Sequence, residues 1–134
     1  MALIPWTEEL SVGIPAIDEQ HQKLITLINE LHRAIESGKG HEKLERIVDE
    51  LLVYTREHFG YEEGIFTRVN YHEGPAHCAQ HAAFTKKMLE LKSDIDADKN
   101  VQADELLAFL LTWFAEHIKR SDMRYVGCFH EHGM

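Results

Sequence analysis

The apolar stripes of this chain carry polar groups in their middle. His21, Leu24, Ile28, Leu31 and Ile35 recur three or four residues apart, the spacing of one helix face. Ile47, Leu51, Tyr54, His58, Glu62 and Ile65 form a second stripe, and His77, His81, Phe84, Met88, Leu91 and Ile95 a third. Leu106, Leu110, Trp113, Phe114 and His117 make a fourth. His21, His58, Glu62, His77, His81 and His117 therefore stand where each helix turns toward a core. Burying such a group without a partner costs several kcal/mol. A chain of 134 residues cannot sustain six of them unless something binds them. A metal ion meets that need by accepting imidazole lone pairs and neutralising carboxylate charge.

The stripes predict an all-α fold, an antiparallel up-down-up-down four-helix bundle with an extended N-terminal arm. Residues 1–17 hold Trp6, Gly13 and two of the three prolines and read as that arm. Helices are expected at about 19–37, 42–64, 75–93 and 102–120. Asp18 is placed to cap the first, Gly38-Lys39-Gly40 to end it, and Pro75 to sit in the first turn of the third. The polar run Asp94 to Asn100 closes the third helix, and the tail from Ser121 is short and without clear periodicity. Residues 1–134 read as a single domain.

Spacing within the stripes tells which donors meet. His58 and Glu62, like His77 and His81, are four residues apart, about 40° around a helix and one turn along it. Each pair can aim two donor atoms at one interior point. Asp122 lies five residues beyond His117, about 140° around an α-helix, so it joins that face only if the helix ends, bends or carries a π-type bulge between Ile118 and Asp122. Such a departure is expected there. The other histidines read as surface groups: His32 and His41 near the first link, His72 before Pro75, and His130 and His132 in the tail. Cys78 reads as a packed thiol. Glu63 is a candidate partner for an imidazole N–H and is read first as a solvated carboxylate.

Bulk properties remove several classes. With 14 Lys and Arg against 23 Asp and Glu the formal charge is −9, which disfavours nucleic acid as a partner. No apolar run approaches the ~20 residues of a membrane span, and Met1 to Glu9 show no secretory leader. Two distant cysteines point to a reducing compartment, hence the cytoplasm. A start at Met1 and a short tail favour a standalone protein over a module cut from a receptor.

The order His21, His58-Phe59-x-x-Glu62-Glu63, His77-x3-His81 and Trp113-x3-His117-Ile118-x3-Asp122 resembles the hemerythrins, in particular their single-domain bacterial members. Trp6 and Gly13-Ile14-x-x-Ile17-Asp18-Glu19-Gln20-His21 resemble the family's N-terminal signature. The resemblance implies two non-haem iron ions joined by an oxo or hydroxo bridge. His77, His81 and His117 would hold one iron, His21 and His58 the other, with Glu62 and Asp122 bridging. It implies O2 as the ligand, taken up at the iron with two imidazoles, and Leu24, Phe114 and Ile118 as the pocket lining. Phe114 stands where relatives commonly have leucine. Neutral imidazoles outnumber carboxylates in this set, which favours reversible binding over oxygen activation. The expected function is O2 binding for storage, transport or delivery, by a carrier and not an enzyme. The alternatives are an O2- or redox-sensing module with a partner or fused signalling domain, and a di-iron oxidase or an enzyme handling peroxide or nitric oxide.

Overall fold

A computed structural model describes residues 3–134, so the first two residues of the expected arm lie outside it. The described residues contain helices and no strand. Helix α1 spans Pro15–Glu36. A second stretch runs through α2 (Gly40–Tyr54), a π-helical turn (Thr55–Phe59) and α3 (Gly60–Val69). Helix α4 spans Gly74–Asp96. The fourth stretch is α5 (Ala103–Trp113), a π-helical segment (Phe114–Ser121), a 3-10 turn (Asp122–Tyr125) and α6 (Val126–Glu131). Helix α1 packs on α2 and α5, α2 packs also on α4 and α5, and α3 packs on α4. No described helix is long and apolar enough to cross a membrane.

The boundaries differ from the sequence expectation for local reasons. Helix α1 starts at Pro15, whose fixed φ and missing N–H suit a first turn, and Ile14 is its N-cap. Asp18 is therefore inside the helix and not its cap. Its carboxylate reaches back to accept the Ser11 hydroxyl at 2.5 Å and the Val12 N–H at 2.8 Å, which ties the preceding loop to the helix. That loop contains a 3-10 turn, Glu8–Leu10, and Ile4 exchanges two backbone bonds with the Asn29 amide. The second stretch passes Gly64 and ends at Asn70, which takes the left-handed conformation (φ 53°) that asparagine tolerates. Buried Glu62, Ile65 and Phe66 hold the helix across the glycine.

The tail is the clearest departure, because it is helical although its sequence has no clear periodicity. Tyr125 and Phe129 are fully buried and stack at 4.2 Å, one turn apart. They join Val12, Ile14, Ile17, Ile65, Phe66 and Tyr71 in a small apolar cluster. The larger cluster is built on Leu24, Ile28, Ile47, Leu51, Phe84, Met88, Leu106 and Leu110. Both clusters border the polar group described next. Phe59 of the larger one stacks on His81 at 3.8 Å, and Phe66 of the smaller one meets His77 edge-on at 4.8 Å.

Candidate metal centre

Helix α1 supplies His21, the π turn after α2 supplies His58, and α3 supplies Glu62. Helix α4 supplies His77 and His81, and the fourth stretch His117 and Asp122. All seven are at most 4% exposed. The departure expected near Asp122 is present and begins earlier, at Phe114. A π turn closes over five residues instead of four, which returns Asp122 to the face of His117. Their atoms Nε2 and Oδ1 are 3.1 Å apart.

The donors form two groups. His77, His81 and His117 surround one point with Glu62 and Asp122, while His21 and His58 surround another with the same two carboxylates. Within each group all ligand atoms lie within 4.8 Å of one another. Asp122 Oδ2 is 2.8 Å from His21 Nε2, and its Oδ1 is 2.9 Å from His77 Nε2. Glu62 Oε1 is 3.0 Å from His81 and 3.4 Å from His58. None of these nitrogens, nor Glu62 Oε1 nor either Asp122 oxygen, has a hydrogen-bond partner, although all are buried. Close approach without donor-to-acceptor alignment is what lone pairs aimed at a shared cation produce. The donor set of nitrogen and oxygen atoms, with no thiolate, suits iron and similar divalent metals.

The outer ring nitrogens are held from neighbouring helices. His58 Nδ1 meets Gln20 Oε1 at 2.5 Å, and His117 Nδ1 meets Gln80 Oε1 at 2.7 Å. Such bonds fix the ring so that Nε2 faces inward. Each glutamine directly precedes a site histidine, His21 or His81, and so faces the next helix; that adjacency was a readable signal. Glu63, read from sequence as a solvated carboxylate, is instead the partner of His81 Nδ1 at 2.8 Å, because α3 lies against α4 there. Tyr125 donates to Glu62 Oε2 at 2.5 Å, a role hidden by the bend in the fourth stretch. Leu24, Phe114 and Ile118 lie together in the larger apolar cluster. His41, His72, His130 and His132 are exposed, and His32 is half-buried beside Glu36 at 2.9 Å. Cys78 is a free, half-buried thiol that burial pushes upward in pKa.

The electrostatics follow from burying charges together. Burial and the Asp122 charge oppose ionisation of Glu62, but His58, His77 and His81 outweigh them and hold it at about 2. Burial lowers His58 to about 4. Burial also works against His77, yet the Asp122 and Glu62 carboxylates raise it to about 9. In the metal-free chain these shifts act in different windows. His77, raised above 6.5, contributes stability that is full below pH 6.5 and is lost as pH rises toward 9. The lowered His58 makes the unfolded chain bind more protons between pH 6.5 and 4, so stability falls with pH there. Metal-free protein is therefore expected to melt highest near pH 6.5. With metal bound the alkaline loss should vanish, since ligation already requires neutral imidazoles. Melting curves from pH 4 to 9, with and without metal, check both arms; a metal-free midpoint still rising at pH 8 would contradict this account.

Helices enclosing a buried histidine and carboxylate cluster able to bind metal define a helical metal-binding protein. The comparisons narrow that class. The family model Hemerythrin HHE cation binding domain matches residues 12–129. The bacteriohemerythrin of Pseudomonas aeruginosa (strain LESB58) is 35% identical over 126 residues, which cover 94% of this chain and 81% of that one. The bacteriohemerythrin of Clostridium acetobutylicum is 31% identical, covering 90% and 97%. The hemerythrin-like protein of Naegleria gruberi is 34% identical, covering 91% and 90%. A crystal structure of wild-type hemerythrin superposes with a TM-score of 0.85 at 26% identity, covering 95% of this chain and 98% of that one. The chain belongs to the hemerythrin family, whose domain implies non-haem iron binding and a helical bundle.

Proposed function

We propose that this protein binds O2 reversibly at two non-haem irons, joined by an oxo or hydroxo bridge, and serves in oxygen storage, transport or delivery. The observation that carries this is the pair of donor groups sharing both carboxylates, one with three imidazoles and one with two. His77, His81 and His117 hold one iron, His21 and His58 the other, and Glu62 and Asp122 belong to both. The bundle is up-down-up-down and antiparallel, with residues 3–14 as the remaining arm, and residues 1–134 act as one domain. Its two free thiols fit a reducing compartment, and we place it in the cytoplasm.

Ferrous ions held by these residues would supply the electrons for reversible O2 binding. The chain's part is to hold the ligands and exclude water. Leu24 is fully buried, Ile118 1% exposed and Phe114 8% exposed, all three belong to the larger apolar cluster, and in this reading they line the O2 pocket. A polar group there admits water, whose protons favour irreversible loss of electrons to O2. Leu24→Asn is expected to speed oxidation of the irons in air on the order of tenfold, equivalent to about 1.4 kcal/mol of barrier. An unchanged oxidation rate at equal iron content would remove Leu24 from the pocket lining.

The reading is tested by anaerobic ferrous reconstitution, then addition and withdrawal of O2 while iron content and the visible spectrum are followed. Two irons per chain, with an absorption band that comes and goes with O2, is the expected result. Immediate irreversible conversion to ferric protein, or steady turnover of a substrate, would replace the carrier with a sensor or an enzyme.

A further inference from the structure

Among the described buried side chains, Tyr54 alone carries a hydroxyl without a hydrogen-bond partner. It ends α2, one turn before His58, and its ring stacks on that imidazole with centroids 5.1 Å apart and planes 21° from parallel. Phe59 meets it edge-on at 6.0 Å. The residue lines a groove of about 600 Å³ with Gln22, Thr26, Leu27 and Val53, yet its oxygen has less than 1 Å² of surface. Its hydroxyl is therefore a donor beside a cluster residue with nothing to donate to.

Tyr125 is the internal contrast. It is also buried, and its hydroxyl donates to Glu62. For packing beside His58 alone, a phenylalanine fills the same space without stranding an oxygen, and a stranded buried hydroxyl lowers stability. The group containing His58 is also the poorer in protein donors, with four residues against five in the other. A metal held there would have fewer protein ligands than one in the other group.

We propose that Tyr54 is a ligand-binding residue, whose hydroxyl donates a hydrogen bond to a small anion or diatomic molecule taken up at the metal position bounded by His21, His58, Glu62 and Asp122. This rests on the metal-centre reading above and adds to it the group that selects and retains the ligand. A donor at this position favours ligands that carry or gain negative charge over neutral, non-accepting ones.

The test compares wild type with Tyr54→Phe, using azide as the probe on ferric, iron-loaded protein. Iron content is measured first, then azide affinity from the visible difference spectrum, then the melting midpoint of each metal-free protein. The expected result is equal iron content, azide bound about tenfold more weakly by the variant, and a metal-free midpoint equal to or above wild type. Equal iron content with azide affinity within about twofold of wild type would overturn the assignment and leave the metal centre standing. A metal-free midpoint that falls in the variant would give the hydroxyl a structural role and equally overturn it. Failure of wild type to load iron would overturn both readings together.

Discussion

Stripping the metal from loaded protein is expected to lower its melting midpoint by about 12–16 °C. A ligand present at about a thousand times its dissociation constant stabilises by about 4 kcal/mol, and a domain of this size shifts by roughly 3–4 °C per kcal/mol. The physical origin is local. Nε2 of all five site histidines, Glu62 Oε1 and both Asp122 oxygens are buried without hydrogen-bond partners, so the metal-free chain keeps them out of water unsatisfied. Loading satisfies them together. Calorimetry of loaded and chelator-treated protein at pH 7 gives the difference directly. Coincident curves would mean that these atoms are not gathered around a cation, and the site would have to be explained as a proton-sharing network.

Asp122→Ala is expected to reduce iron content by more than half and to bring the midpoint of reconstituted protein down to that of the metal-free chain. Asp122 is fully buried, faces His21, His77 and His117, and belongs to both donor groups. Burial resists its ionisation, yet His117, His21 and His77 hold its carboxyl well below the usual range. Removing one partner of a buried charge cluster costs about 3–5 kcal/mol, because the remaining charges lose their compensation. Glu116→Ala is the control. Glu116 lies on the same π-helical segment but is exposed and paired only with Arg120 at 3.3 Å, so iron content and midpoint should stay at wild-type values. Equal losses in both variants would indicate a general weakening of the fourth stretch and not the removal of a shared ligand.

The sequence was sufficient for which residues share a helix face. Apolar residues three and four apart announced four helical stretches, and His21, His58, Glu62, His77, His81 and His117 stood on those stripes where burial needs a partner. Even the irregularity before Asp122 followed from geometry, since five residues cannot return to the same face of an α-helix. Periodicity is a short-range property, and the chain states it residue by residue.

Tertiary structure decided what depends on two helices meeting. Gln20 reaches His58 across 38 residues, Gln80 reaches His117 across 37, and Tyr125 reaches Glu62 across 63. Glu63 became the partner of His81 only because α3 lies against α4. The π turn at Thr55–Phe59 has no signature in the apolar spacing, and the tail became helical because Tyr125 and Phe129 found a second apolar cluster to enter. A helical repeat says which face a residue occupies. What that face touches is set by the packing of the whole bundle, where burial energy outweighs weak local preference.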